Sequence, residues 1–156
     1  MVQYMRQSEG REFLVQPNSI DLRLKEVFEI GDGLELYADG SRNLPEYERI
    51  RLREDNMFNF LRLGLYQVEF EESIEMPAGV CGITLLRSTM FKSGASGESG
   101  LFDSGYKGGI GMTISTEKLV RVEKGAPIAQ MVFFEAEQGS LYNGYYQDGF
   151  EFKGRK

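Results

Sequence analysis

Leu65-Tyr66-Gln67-Val68-Glu69-Phe70 sets Tyr66, Val68 and Phe70 against Gln67 and Glu69 at a period of two. That is the pattern of a strand with one face in a core and one face toward water. Ser19-Ile20-Asp21-Leu22-Arg23-Leu24 repeats it, with Ile20, Leu22 and Leu24 on one face and Asp21 and Arg23 on the other. Val80–Leu86 and Ile128–Phe134 are more continuously apolar and read as more deeply buried strands. Turn signals separate these runs, and the chain holds 19 glycines but only four prolines. Short strands between glycine-rich turns predict an all-β sandwich or barrel.

Around these strands the sequence is punctuated, not divided. A chain of 156 residues, 41% hydrophobic, suits one domain over residues 1–156 with one core. Residues 143–156 read as a flexible C-terminal tail. Gly31–Asp55 is polar and turn-rich and reads as a hairpin plus surface loop, with a short helix over Leu44–Glu54 as the alternative. Ser93–Gly100 (SGASGESG) is small and reads as a flexible hairpin loop between strands. No repeat, heptad or low-complexity tract is visible.

Composition removes whole classes of chemistry. Acidic residues outnumber basic ones 24 to 18, a formal charge of −6, which argues against a broad nucleic-acid grip. The single cysteine, Cys81, has no internal disulfide partner, and no apolar run resembles a signal peptide or a membrane span. A cytoplasmic protein without a membrane partner is expected. There is no histidine, so the usual Ser-His-Asp and Cys-His nucleophile systems are excluded. With one cysteine, so is the zinc-deaminase ligand set. Catalysis is left to carboxylates, hydroxyls, amides, Lys, Arg and a loosely held metal.

Four segments carry candidate chemistry. Arg87-Ser88-Thr89 follows an apolar strand and offers a guanidinium fork, two hydroxyls and free backbone N–H groups, the parts a triphosphate needs. A strand end turning into solvent reads equally from the same residues. Phe102-Asp103-Ser104-Gly105-Tyr106-Lys107-Gly108 spaces an acid and an aromatic three residues apart in a glycine-rich turn. Asp103 is then a candidate general base at the mouth of the core, or the first residue of an ordinary turn. Gly125–Gln130 leads a turn into an apolar strand in which Gln130 is either a ligand contact or an amide satisfied in the core. Gln16–Leu24 places Asp21 and Arg23 together, for which a surface ion pair is the plain explanation.

In that order and spacing, the four segments resemble the motifs of the dUTPase/dCTP deaminase superfamily, over about residues 15–147. The resemblance implies a distorted β-barrel of jelly-roll type, assembled as a homotrimer with sites between subunits, and dUTP as substrate. It implies that Asp103 activates a water and bonds the deoxyribose 3′-hydroxyl, while Tyr106 packs under the sugar and excludes a 2′-hydroxyl. Arg87, Ser88, Thr89 and Gln130 would hold phosphates, and Asp21 would stand in the outer shell of a triphosphate-bound Mg2+. Ser96, Gly97, Gly100 and Gly111 would present backbone groups to the base. Lys92, Tyr142 and Gln147 complete the expected substrate-binding set.

Four departures choose among the branches. Superfamily deaminases carry a glutamate two residues beyond the Gly111 position, and here Thr113 stands there. A threonine cannot serve as that base at neutral pH. Lys92 replaces an arginine of the deaminases. Pro127 stands where a basic residue is usual, and Gly149–Lys156 holds Phe150 and terminal cations without matching the glycine-rich arm of trimeric dUTPases. The expectation is a dUTP diphosphatase. The alternatives are a deoxypyrimidine triphosphate-binding regulator with little turnover, or a dCTP deaminase.

Overall fold

The computed structural model describes residues 1–6, 11–137 and 140–148. Its framework is two long strands, β3 (Ile20–Ile30) and β8 (Leu65–Glu75), paired antiparallel through Leu24↔Phe70 and Val27↔Val68. Three short pieces precede or flank them: β1 (Met5–Arg6) on β8, β2 (Leu14–Val15) on β3, and the separate hairpin of β4 (Glu35–Leu36) and β5 (Arg42–Asn43). β6 (Tyr47–Arg49) also pairs with β3, through Phe28↔Arg49. The helix considered over Leu44–Glu54 is therefore corrected to a strand. Pairing to the edge of β3 satisfies its backbone, and Pro45 disfavours helix in the residue before it.

The remaining strands follow the alternation. β7 (Met57–Phe60) pairs with β12 (Val120–Glu123), and Phe58 and Phe60 from the first bury under it with Val122. β9 (Val80–Leu86) leads into a five-residue helix, α1 (Ser88–Lys92), then β10 (Ala95–Glu98), β11 (Lys107–Thr116) and β13 (Pro127–Glu135). The main sheet runs β10-β11-β8-β3-β13-β9. Its two ends approach each other: Gly82 and Phe102 exchange backbone bonds of 3.0 and 2.8 Å, and the Thr84 amide donates to Ser99 Oγ at 3.1 Å. Joining the ends hides strand edges and gives the distorted barrel that the sequence led us to expect.

Tyr66, Val68 and Phe70 point into the core with Ile20, Leu22, Leu24, Met112, Ile114 and Met131. Two expectations change, one for a loop and one for a strand face. Ala95–Glu98, within the supposed flexible hairpin, is a strand in register with Thr113–Thr116 of β11. Asp21 and Arg23 are buried, not a surface pair, because neighbouring segments close on their side chains: Gln16 and Arg87 on Asp21, the Glu12 carbonyl on Arg23. Arg23 pairs instead with Glu72 of β8: Nη1 donates to Oε1 at 2.8 Å, and the Arg23 amide donates to Oε2 at 2.9 Å. Of the expected tail, 143–148 runs as turns, and 149–156 lies outside the described residues. Among the described residues, no helix is long and apolar enough to cross a membrane.

Candidate active site

The turn before β11 is fixed from several sides. The Tyr106 amide donates to the Asp103 carbonyl at 3.1 Å, Ser104 Oγ donates to the Val80 carbonyl at 2.8 Å, and Met76 exchanges backbone bonds with Gly105 and Tyr106. Gly105 has φ +87°, and a Cβ on it would lie 2.9 Å from Leu141 Cβ, so only glycine fits the turn. The result is a pinned ring beside an open carboxylate. Asp103 is exposed, and its side chain has no partner among the described residues. Tyr106 is 8% exposed, packed against Phe102 and Tyr142, with its hydroxyl donating to the Gly109 carbonyl at 2.8 Å. Burial, with a smaller contribution from Tyr142, pushes its pKa up to about 12, so it stays a neutral donor at physiological pH.

Asp103 and Tyr106 border a cavity of about 480 Å³. Gly100, Gly111 and Tyr142 also line it, so five of the expected site residues meet there. So do Gln67, Glu69 and Lys25, which the sequence reading passed over. Gln67 and Glu69 belong to the polar face of β8, read as facing water. The alternation located that face correctly; Leu101, Asp103 and Tyr142, which share the lining with it, make it the wall of a cavity. Gln147 lies nearby but is spent on backbone, donating to the Gly105 carbonyl at 3.1 Å and accepting from the Lys107 amide at 3.3 Å. It clamps the turn and the start of β11.

A second cluster forms apart from the cavity lining. Arg87 caps β9, its amide donating to the Ile128 carbonyl at 2.9 Å and Nη1 to the Pro127 carbonyl at 3.3 Å. Its Nε lies 3.5 Å from Asp21 Oδ2, which also accepts from Gln16 at 3.0 Å. Asp21 Oδ1 is buried without a partner. Gln130, opposite Asp21 in the β3–β13 register, accepts from Ser19 Oγ at 3.0 Å. Ser88 and Thr89 open α1 exposed, as is Lys92 at its other end. Thus Arg87, Asp21 and Gln130 gather at one place, while Asp103 and Tyr106 sit at another. Ser96 and Gly97 join neither group. They lie in β10, where a Cβ on Gly97 would meet Met112 and Leu86, so the expected base-facing hairpin is corrected at these two positions to a paired strand.

Thr113, at the deaminase glutamate position, is tied to β8. Thr113 Oγ1 donates to Gln67 Oε1 at 3.2 Å, and Thr113 stands opposite Gln67 in the β11–β8 register. On its other edge Thr113 stands opposite Glu98 of β10, and Glu69 of β8 lines the cavity.

Comparison with known proteins gives this geometry its family. A deoxyuridine 5′-triphosphate nucleotidohydrolase of Methanocaldococcus jannaschii is 32% identical over 135 residues, covering 85% of this chain and 86% of its own. A probable enzyme of the same name from Methanosarcina barkeri is 33% identical over 145 residues, covering 88% and 82%. Among solved structures, the Agrobacterium tumefaciens 2′-deoxycytidine 5′-triphosphate deaminase superposes with a TM-score of 0.64 at 18% identity, over 85% of this chain and 42% of that one. The dUTPase of Staphylococcus bacteriophage 80alpha with dUPNHPP superposes with a TM-score of 0.58 at 15% identity, over 97% and 93%. These two show a common fold. The dCTP deaminase-like family model matches residues 4–136, and the chain belongs to that family.

Proposed function

We propose that this protein is a dUTP diphosphatase, hydrolysing dUTP to dUMP and pyrophosphate. The observation that carries the reading is Asp103, an open carboxylate beside the buried Tyr106 ring at the mouth of the cavity, with Thr113 in place of a deaminase glutamate. The dUTP nucleotidohydrolase names of its archaeal relatives support it. Asp103 takes a proton from a water; the water oxygen bonds to the α-phosphorus, and the bond to the bridging oxygen breaks. Pyrophosphate leaves with that electron pair. Tyr106 packs against the deoxyribose at C2′, and Gly100 and Gly111 leave room for the base.

The cavity lacks the phosphate-binding half. Lys25 is the one basic residue among the described residues lining it, and Arg87, Ser88, Thr89 and Gln130 are absent from its wall. A second copy of the chain would supply them, which supports a homotrimer with shared sites. Mg2+ fits as a companion of the triphosphate. Among the described residues no three potential ligands cluster, yet Asp21 Oδ1 has unused acceptor capacity beside Arg87. Asp21 would accept from a metal-bound water, with inner ligands from phosphate and solvent. The bound ion supplies charge stabilisation at the phosphates.

Incubation with Mg2+ and each deoxynucleoside triphosphate, followed by product separation, tests the reading. Pyrophosphate with dUMP is expected. Formation of dUTP from dCTP, or tight binding without product, would overturn it.

A further inference from the structure

Beyond the turn that holds Asp103, the floor of the cavity is made where β11 passes β8. Gly111 has no side chain, and a Cβ there would lie 2.7 Å from Gln67 Nε2. The Gln67 amide therefore lies directly over the Gly111 backbone, where a side chain would otherwise fill the space. Its orientation is set by one neighbour, the Val68 carbonyl, and held by a second, the Thr113 hydroxyl, which can donate or accept. The Val68 carbonyl, which can only accept, lies 3.4 Å from Nε2, so nitrogen faces it. Oε1 then accepts from Thr113 Oγ1 at 3.2 Å. One N–H of the amide is spent on a long bond. The second has no partner among the described residues, and Gln67 lines the cavity.

We infer that Gln67 reads the 4-position of the pyrimidine, donating its remaining N–H to a keto oxygen, with the Val68 carbonyl assigning the nitrogen and Thr113 as the positioning residue that anchors Oε1. The inference rests on the nucleotide reading above, since it seats the base beyond a sugar held at Asp103 and Tyr106. Uracil presents an acceptor at O4, whereas cytosine presents an amino donor there that would oppose the Gln67 N–H. Donor against donor leaves both groups unsatisfied, so the amide selects keto over amino pyrimidines. The residue at the deaminase glutamate position then has a use of its own: it orients a selector for a base with nothing to deaminate.

The test measures affinity for the α,β-imido analogues of dUTP and dCTP by calorimetry, so that no turnover is needed. The wild-type protein is expected to prefer the uracil analogue. Gln67→Leu should lose about tenfold in affinity for it, the worth of one hydrogen bond to a buried group, while the cytosine analogue changes little. Gln67→Glu supplies an acceptor and should move the ratio toward cytosine. Thr113→Val keeps the shape but frees the amide to turn, so the ratio should narrow. A purely structural Thr113 would weaken both analogues equally. If Gln67→Glu fails to fold, the other two variants still decide. A wild-type ratio near one, or a ratio unmoved in Gln67→Leu and Thr113→Val, would overturn the inference. Absence of pyrophosphate release from every nucleotide, with the ratio behaving as expected, would instead remove only the hydrolase reading.

Discussion

Asp103 illustrates how much a single residue depends on its surroundings. Its carboxylate is open because Gly105, Ser104 and Met76 hold the turn without engaging the side chain. Asp103→Asn keeps the shape and, on the proposed mechanism, removes the base. Turnover should fall by roughly 10²–10⁴-fold with nucleotide affinity nearly unchanged, read from steady-state kinetics beside a binding measurement. Tyr106→Ala opens space at C2′, so kcat/KM for dUTP over that for UTP should drop, along with activity on dUTP itself. A ratio that does not move would make Tyr106 a packing residue alone. Because its hydroxyl pKa is pushed up to about 12, no step in the pH–rate profile between pH 6 and 9 should vanish in Tyr106→Phe. The motif spacing singled out Asp103 and Tyr106 in the sequence, and the structure brings both to one cavity. Gln67 was not, because period-two alternation marks a polar face without saying whether open solvent or a cavity lies across from it.

At the scale of elements, β3 and β8 are held by a contact their alternation does not announce. Arg23 and Glu72 have side-chain exposures of 9% and 1%, so each is a charge that depends on the other. Glu72→Leu should cost about 3–5 kcal/mol in urea unfolding by leaving Arg23 buried and unpaired, and Arg23→Met in the same chain should recover most of it. Nearer the surface, burial pushes the Glu26 carboxyl up, but the Arg49 hydrogen bond and the Lys124 and Arg49 charges outweigh it and hold the pKa below its ordinary value of 4.5. A folded pKa below the unfolded one contributes stability above the ordinary value, lost as pH falls through the folded value. Glu26→Gln should therefore flatten the loss of stability on acidification below pH 4.5. The change should show in melting temperatures measured across that range.

At the scale of the molecule, the two residue clusters ask for partners. If Asp103 from one copy meets Arg87 from another, Asp103→Asn and Arg87→Ala are each nearly inactive. Co-assembled at equal amounts, random mixing leaves about a quarter of the sites with both native residues, and activity should return to that level. Mixing without recovery, or light scattering that shows an active monomer, would place the whole site within one chain. Chelation of Mg2+ should abolish pyrophosphate release while leaving far-UV circular dichroism unchanged, since the protein contributes no metal cage to its own fold among the described residues.

The sequence by itself determined the strand class, the core faces of β3 and β8, and the exclusion of histidine chemistry, because side-chain period and residue inventory are local properties of the chain. It also marked Asp103, Tyr106, Arg87 and Gln130 by spacing. Only the tertiary structure decided that Asp21 and Arg23 are buried, since Gln16, Arg87, the Glu12 carbonyl and Glu72 close on a face that alternation assigns to solvent. It alone turned Leu44–Glu54 and Ser93–Gly100 into sites of strand pairing, where edges of β3 and β11 offered hydrogen bonds that local propensity cannot foresee. And it separated the cavity from the Arg87 cluster. Which residues meet is a matter of long-range closure, set by how the barrel's ends come together and not by any stretch read in order.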